Sequence, residues 1–375
     1  MTAREINLAV FEGRPVDRIP FQPRLETWYE WNRAGKPYGA PFPEKYRGLS
    51  LRDIYDDLGA APRYLYGFWP VEEVNDVEVR ITVTENGDRR FRTIETPAGR
   101  LVSEYGRSSE GGWRLVRHPV SDADEIESAI AFFRHTSYHF RPETFEAGSA
   151  FFGDRAQPQF YLPRGGYQAL SIVWMGLEGL IYNLADRPGR VEALMAAIDD
   201  SYDTLYRELA AYGRARLVNF GENIDANIVS PRHFETYCLP FYEKRAGQLR
   251  AAGIRTHIHL DGSLRPLLKY LKFLPFDGLE ALTPRPQGDV ELEELRAAAG
   301  GKVLLDGIPA ISFLPSCPEA EFQATVERVV KLFAPRLVLG ASDEVPPAGE
   351  IERVRWAADY CRRALKPAAS GPEKK

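Results

Sequence analysis

From about residue 159 onward the chain alternates short apolar runs with helical stretches, and this rhythm restricts the fold more than any other feature. Strands are expected at 159–163, 217–221, 254–260, 278–282, 303–307 and 337–340, with helices near 231–252, 263–272, 290–299 and 318–333. A strand, a crossover helix and a further strand can join one sheet only in parallel. With a first strand at 19–22, the pattern predicts the α/β class and a (β/α)₈ TIM-type barrel.

Decoration is expected around that barrel. Residues 3–12 have helical apolar spacing and are stopped by Gly13, Pro15 and Asp17, which places an N-terminal helix before the first strand. From 72 to 120 the period becomes two, through Val77, Val79, Ile81 and Val83, then Asn86-Gly87, Phe91 to Ile94, and Thr96-Pro97-Ala98-Gly99. That predicts an antiparallel β insertion. Further helices are expected near 121–134 and 188–212, the latter with Pro188 in its first turn. Residues 1–366 read as one decorated barrel domain and 367–375 as a disordered tail.

Composition narrows the function classes. The 375 residues carry a net charge of −5 from interleaved acids and bases, so no nucleic acid partner is expected. Three widely spaced cysteines, Cys238, Cys317 and Cys361, suit neither a disulfide framework nor a thiolate metal cluster. The N-terminal segment, with Arg4, Glu5 and Glu12 around a short apolar run, does not read as a signal peptide, and no run approaches the length of a membrane span. A soluble, cytoplasmic protein with no membrane association is the expectation.

Each expected strand ends in polar or special residues: Arg164-Gly165-Gly166, Glu222-Asn223, Asp261-Gly262, Thr283-Pro284, Asp306-Gly307 and Asp343-Glu344. A parallel barrel gathers such ends on one rim, where catalytic groups sit. Strand alternation puts His257, His259 and Asp261 on one face, a set able to bind a divalent metal or to act as acid and base. His257, being deeper, reads equally as a hydrogen-bonded core residue. Glu222 closes an apolar run, and burying it alone would cost several kcal/mol, which points to a cation, proton donor or substrate beside it, or to a plain salt bridge. The Trp28-Tyr29-Glu30-Trp31 run, with Tyr64, Tyr66 and Trp69, offers aromatic faces for a methylated ammonium or an aryl ring, or simple lid packing. Arg164 and the backbone N–H groups of its Gly pair suit an anionic group.

The phrase Glu12 to Gln22, EGRPVDRIPFQ, resembles the opening of uroporphyrinogen decarboxylase-like proteins. The stretch from Gly253 to Gly262 resembles the strand that carries the His-x-Cys-Gly zinc motif of the related corrinoid-dependent methyltransferases, and Asp277-Gly278, Gly288-Asp289 and the segment 340–347 continue the likeness. The resemblance spans nearly the whole chain and is weakest at 72–120. It implies a metal site at His259, Asp261 and Asp343, with Asp261 in place of the first cysteine and Asp343 where the second is expected. Such a harder donor set suits zinc or another divalent ion. Arg24 stands where the decarboxylases have the first arginine of their N-terminal motif, but no Phe-Ser-Asp phrase occurs, so porphyrinogen decarboxylation is not expected.

The resemblance implies an enzyme that takes a methyl group from a small-molecule donor, a methoxy or methylated-nitrogen compound, to a separate corrinoid protein. The chain has no Asp-x-His-x-x-Gly corrinoid signature, so the cobalamin would be carried by that partner. Glu222, His257 and Asp343 are the candidate catalytic groups, and Arg24, Trp28, Trp31, Arg164 and Asn223 the candidate substrate-binding ones. The alternatives are a lyase, decarboxylase or hydrolase that clamps a small carboxylic acid with Arg24 and Arg164, and a catalytically silent binding barrel.

Overall fold

The computed structural model describes residues 1–109 and 111–365, so the tail expected at 367–375 lies outside the described residues. The N-terminal helix, Ala3–Glu12, forms as expected, because Thr2 and Glu5 make a reciprocal capping box and Gly13 (φ 69°) closes the other end in the left-handed region.

Among the described residues twelve strands follow in chain order: β1 (Val71–Asn75), β2 (Arg80–Asn86), β3 (Arg89–Thr96), β4 (Gly99–Arg107), β5 (Trp113–Arg117), β6 (Thr136–Phe140), β7 (Tyr161–Leu162), β8 (Leu217–Ile224), β9 (Arg255–Leu260), β10 (Gly278–Glu280), β11 (Val303–Pro309) and β12 (Leu337–Ser342). Strands β7 to β12 form one six-stranded parallel sheet in sequence order.

Extended segments hold the other two barrel positions. Gln22 N–H donates to Leu339 O and Leu339 N–H to Pro20 O, which lays segment 19–22 against β12. Ala61 N–H then donates to Phe21 O, and Leu65 N–H to Gln159 O just before β7. Pro20, Pro23 and Pro62 lack N–H donors, so neither segment can build a regular ladder. The expected strand at 19–22 is therefore a single bridge at Phe21, and the position at 61–65 has no strand periodicity to reveal it.

The insertion is a four-stranded antiparallel sheet, β2 to β5, while β1 pairs with β6 in a separate ribbon. Ile81, Ile94 and Leu101 form one cross-strand row, and Ile94 and Leu101 are buried where the sheet packs on the helix Ala123–Arg134. Val77 and Val83, equally apolar in sequence, lie exposed. Several helices are more broken than their periodicity suggests. The 188–212 stretch divides at Tyr202 into Pro188–Ser201 and Asp203–Tyr212. The 231–252 stretch contains a π-helical turn at Phe234–Cys238, just before Pro240 removes a helical donor. Only short turns form at 265–271.

The N-terminal helix closes the lower end of the barrel. Its Val10 and Phe11 pack with Leu217, Val303, Leu305 and Val338, apolar side chains near the strand starts. Burying a side chain of Phe11's size contributes about 2–3 kcal/mol. Access to the interior is left to the opposite rim.

Candidate active site

Above that apolar floor lies a buried polar layer. Arg63, on the segment between Pro62 and Tyr64, is fully buried and reaches inward to two carboxylates. Its NH1 donates to Glu280 Oε1 at 2.8 Å, and its NH1 and NH2 grip Asp306 at 2.9 and 2.6 Å. Gly340 leaves room for this pair, since a Cβ there would lie 2.4 Å from Asp306 Oδ1 and 2.9 Å from Arg63 NH2. Glu280 also accepts from the Tyr64 hydroxyl and from Asn219 Nδ2. Burial alone would raise the Glu280 carboxyl, but hydrogen bonds with His257 and His259 and the charge of Arg63 hold it well below its ordinary value. Burial pushes Asp306 up to about 6 against the opposing pull of Arg63.

His257 belongs to this layer. Its Nε2 faces Gln159 Oε1 at 2.8 Å, while its Nδ1 lies 2.7 Å from Asn219 Nδ2 and 3.5 Å from Glu280 Oε2. Burial lowers its pKa against the opposing pull of Glu280. With both nitrogens occupied, His257 supports the site and is not placed to act on a ligand.

His259, one step up the same strand, is the turning point between this layer and the rim. Its Nδ1 lies 3.4 Å from Glu280 Oε2, and its Nε2 faces Asp343 Oδ1 at 3.7 Å and Asp261 Oδ2 at 3.9 Å. Burial disfavours the imidazolium, but the hydrogen bond and charge of Glu280 outweigh it and raise the pKa above the ordinary histidine value. Asp261 is raised as well, by burial first and then by the negative charges of Asp343 and Asp225.

In or just beyond each of β8 to β12 a residue adopts a left-handed backbone: Asn223 (φ 55°), Gly262 (62°), Ala281 (63°), Asp306 (83°) and Asp343 (71°). Four of these five are not glycine. Non-glycine residues in that region cost about 1–2 kcal/mol each and gather at functional sites.

The rim opens on a cavity of about 440 Å³ lined by Arg24, Asn223, His259 and Asp343 at its polar parts and by Trp69 and Tyr161 among its walls. Arg164 also lines it. A second cavity, about 380 Å³, shares Arg24 and Tyr161 and is lined by Trp31, Tyr64 and Tyr66. Arg24 separates the two, bonded to Asp343 at 2.8 Å and Glu344 at 2.6 Å, with its guanidinium over the Tyr64 ring at 5.6 Å.

Several expected site residues lie elsewhere. Glu222 does not reach the cavity: along β8 Asn219, Gly221 and Asn223 face the lumen, so Glu222 points outward, accepting from Gly165 N–H at 2.7 Å and Tyr242 Oη at 3.1 Å. Burial raises it to about 7. The same contact corrects the anion-binding role expected of the Gly pair, because Gly165 N–H is spent on Glu222. Gly165 and Gly166 instead allow close packing on Phe241 and Met195. Trp28 is buried with its Nε1 donating to Gly349 O, a core residue and not a substrate wall. Trp31 reaches only the second cavity, and Lys36 covers its ring at 4.8 Å. Arg24 is already paired and is not a free carboxylate clamp.

His259, Asp261 and Asp343 do come together, but as arranged they do not make a metal-ligand set. Arg24 NH1 holds the same Asp343 oxygen that faces His259, and among the described residues no three His, Cys, Asp or Glu side chains are grouped to hold an ion.

Sequence reasoning missed Arg63 and Glu280. Glu280 interrupts the apolar run Gly278 to Leu282, so the desolvation argument applied to Glu222 would have found it. Arg63 offered only a lone charge between Ala61 and Leu65.

The uroporphyrinogen decarboxylase (URO-D) family profile matches residues 171–364, just over half of the chain. No curated protein matches the chain by sequence. Among solved structures, a methyltransferase from Methanosarcina mazei is similar with a TM-score of 0.57 and 15% identity, over 96% of this chain and 98% of that one. A B12-independent methionine synthase from Shewanella sp. W3-18-1, in complex with selenomethionine, aligns with a TM-score of 0.45 and 11% identity, over 93% of this chain and 97% of that one. At such identities the methyltransferase likeness concerns the fold. The barrel topology and the family match agree, and the chain belongs to the uroporphyrinogen decarboxylase (URO-D) family.

Proposed function

We propose that the protein is a methyltransferase that moves a methyl group from a small methoxy or methylated-nitrogen compound to the cobalt of a corrinoid carried by a separate protein. The observation that carries this reading is His259, whose Nδ1 is backed by the buried Glu280 while its Nε2 faces an open cavity. When a methyl group leaves its heteroatom as a cation equivalent, the electron pair stays on that heteroatom, which must then gain a proton. His259 as imidazolium supplies that proton through Nε2, so R–X–CH₃, cob(I)alamin and H⁺ become R–XH and methylcobalamin. Asp261 and Asp343 favour the charged ring, and Arg24 keeps Asp343 in place. The divalent ion and the Glu222 acid expected from sequence have no step in this scheme.

The test is cobalt methylation, followed by absorbance, with cob(I)alamin on its carrier protein or free at high concentration. Methylation should require both the enzyme and a methyl donor, and His259→Ala should slow it by roughly a hundredfold, as for a lost general acid. Consumption of a small acid without corrinoid would instead favour a lyase or hydrolase, the second reading, which the cavity-lining Arg164 supports.

A further inference from the structure

Arg164 differs from the other arginines around the site. Arg24 and Arg63 each grip two carboxylates. Arg164 lines the same cavity as His259; its Nε is buried without a partner, as is that of Arg63, but unlike Arg63 its guanidinium has, among the described residues, no ion pair and no hydrogen-bond partner at all. Its influence on Glu222 is electrostatic only, since the two make no ion pair. A buried guanidinium nitrogen without an acceptor is costly in a folded protein, and an acceptor supplied by a ligand removes that cost. Asn223, on the neighbouring strand end, also faces the cavity, held at φ 55°. The wall between them and the second cavity is aromatic, with Trp69 and Tyr161 stacked at 6.1 Å.

We infer that Arg164 is the recognition site for a carboxylate on the substrate, and that the substrate is a compact acid with a flat apolar body resting against Trp69 and Tyr161. A planar guanidinium matches the two oxygens of a carboxylate, and since Arg24 already holds Asp343 and Glu344, Arg164 is the cavity's unpaired guanidinium among the described residues. The methyl-bearing heteroatom is thereby directed toward His259. The inference deepens the methyl-transfer reading and rests on it for the reaction, but the binding itself requires no corrinoid.

Binding is measured by calorimetry and Trp fluorescence on the full chain, with 4-methoxybenzoate, benzoate and the neutral 4-methoxybenzamide as probes. The acids should bind roughly tenfold or more tightly than the amide, the usual margin for a charge-assisted hydrogen bond. Arg164→Gln should erase that preference, and Arg164→Lys should keep part of it, with thermal unfolding used to check that both variants fold. Equal binding of acid and amide to the unaltered protein, undiminished acid binding by a folded Arg164→Gln, or no acid binding at all overturns the inference. Acid binding through Arg164 without any cobalt methylation upholds it and removes the methyl-transfer reading instead.

Discussion

The buried layer and the rim of this barrel use the same residue types differently. Below, Arg63 is enclosed with Glu280 and Asp306, and His257 with the amides of Gln159 and Asn219 packs beside them, away from solvent. Above, Arg24 pairs with Asp343 and Glu344, but the Asp343 side chain remains 51% exposed and His259 turns a nitrogen to the cavity. Charges paired away from solvent hold the barrel in shape, whereas charges satisfied on one side are available to a ligand. His259 links the two, because its lower nitrogen belongs to one region and its upper nitrogen to the other.

The widest separation should appear when each arginine is removed. Arg63→Met leaves two buried carboxylates without their cation and should cost about 3–5 kcal/mol. Arg24→Met, at the partly solvated rim, should cost about 1 kcal/mol. Urea unfolding of the two variants measures this, and equal losses would erase the distinction.

Gly340→Ala probes the same layer sterically. Its Cβ would press on Asp306 and Arg63, and a loss of roughly 1–3 kcal/mol is expected, again by urea unfolding. A variant as stable as the parent would show that the buried pair can shift.

Glu222 lies in neither region, which pH can sharpen. Its carboxyl is raised from 4.5 to about 7, so the folded state holds this proton more tightly than the unfolded chain. The resulting stabilisation is complete below the unfolded value and is lost as pH rises through about 7. Glu222→Gln should flatten that slope by about 3 kcal/mol while leaving turnover per folded molecule nearly unchanged. A large loss of turnover in a stable variant would return Glu222 to the chemistry.

The smallest effect is expected at Ala281, buried with φ 63° at the end of β10. Ala281→Gly relieves left-handed strain and, after the added chain entropy of glycine, should stabilise by up to about 1 kcal/mol. Destabilisation of that size would show that the methyl group's packing outweighs the strain.

The barrel was readable from sequence where apolar runs are long and bounded, as at β8, β9, β11 and β12. It was not readable at 61–65, where Pro62 and Arg63 interrupt any period. The rim residues His259, Asp261 and Asp343 were legible because each follows an apolar strand. The second cavity, the pairing of Arg24 and the isolation of Arg164 were not, since each depends on which distant side chain is already satisfied.

By itself the sequence determined the order of strands and helices, the parallel topology and the polar ends that meet on one rim, because these follow from local periodicity and short-range turn chemistry. Tertiary structure alone decided which polar groups enter the lumen and which charges cancel. A strand's side chains alternate in direction, so one position separates Asn223 in the cavity from Glu222 behind it. The decisive partners are far apart in sequence, 217 residues for Arg63 and Glu280 and 319 for Arg24 and Asp343, and only closing the barrel brings them within a hydrogen bond.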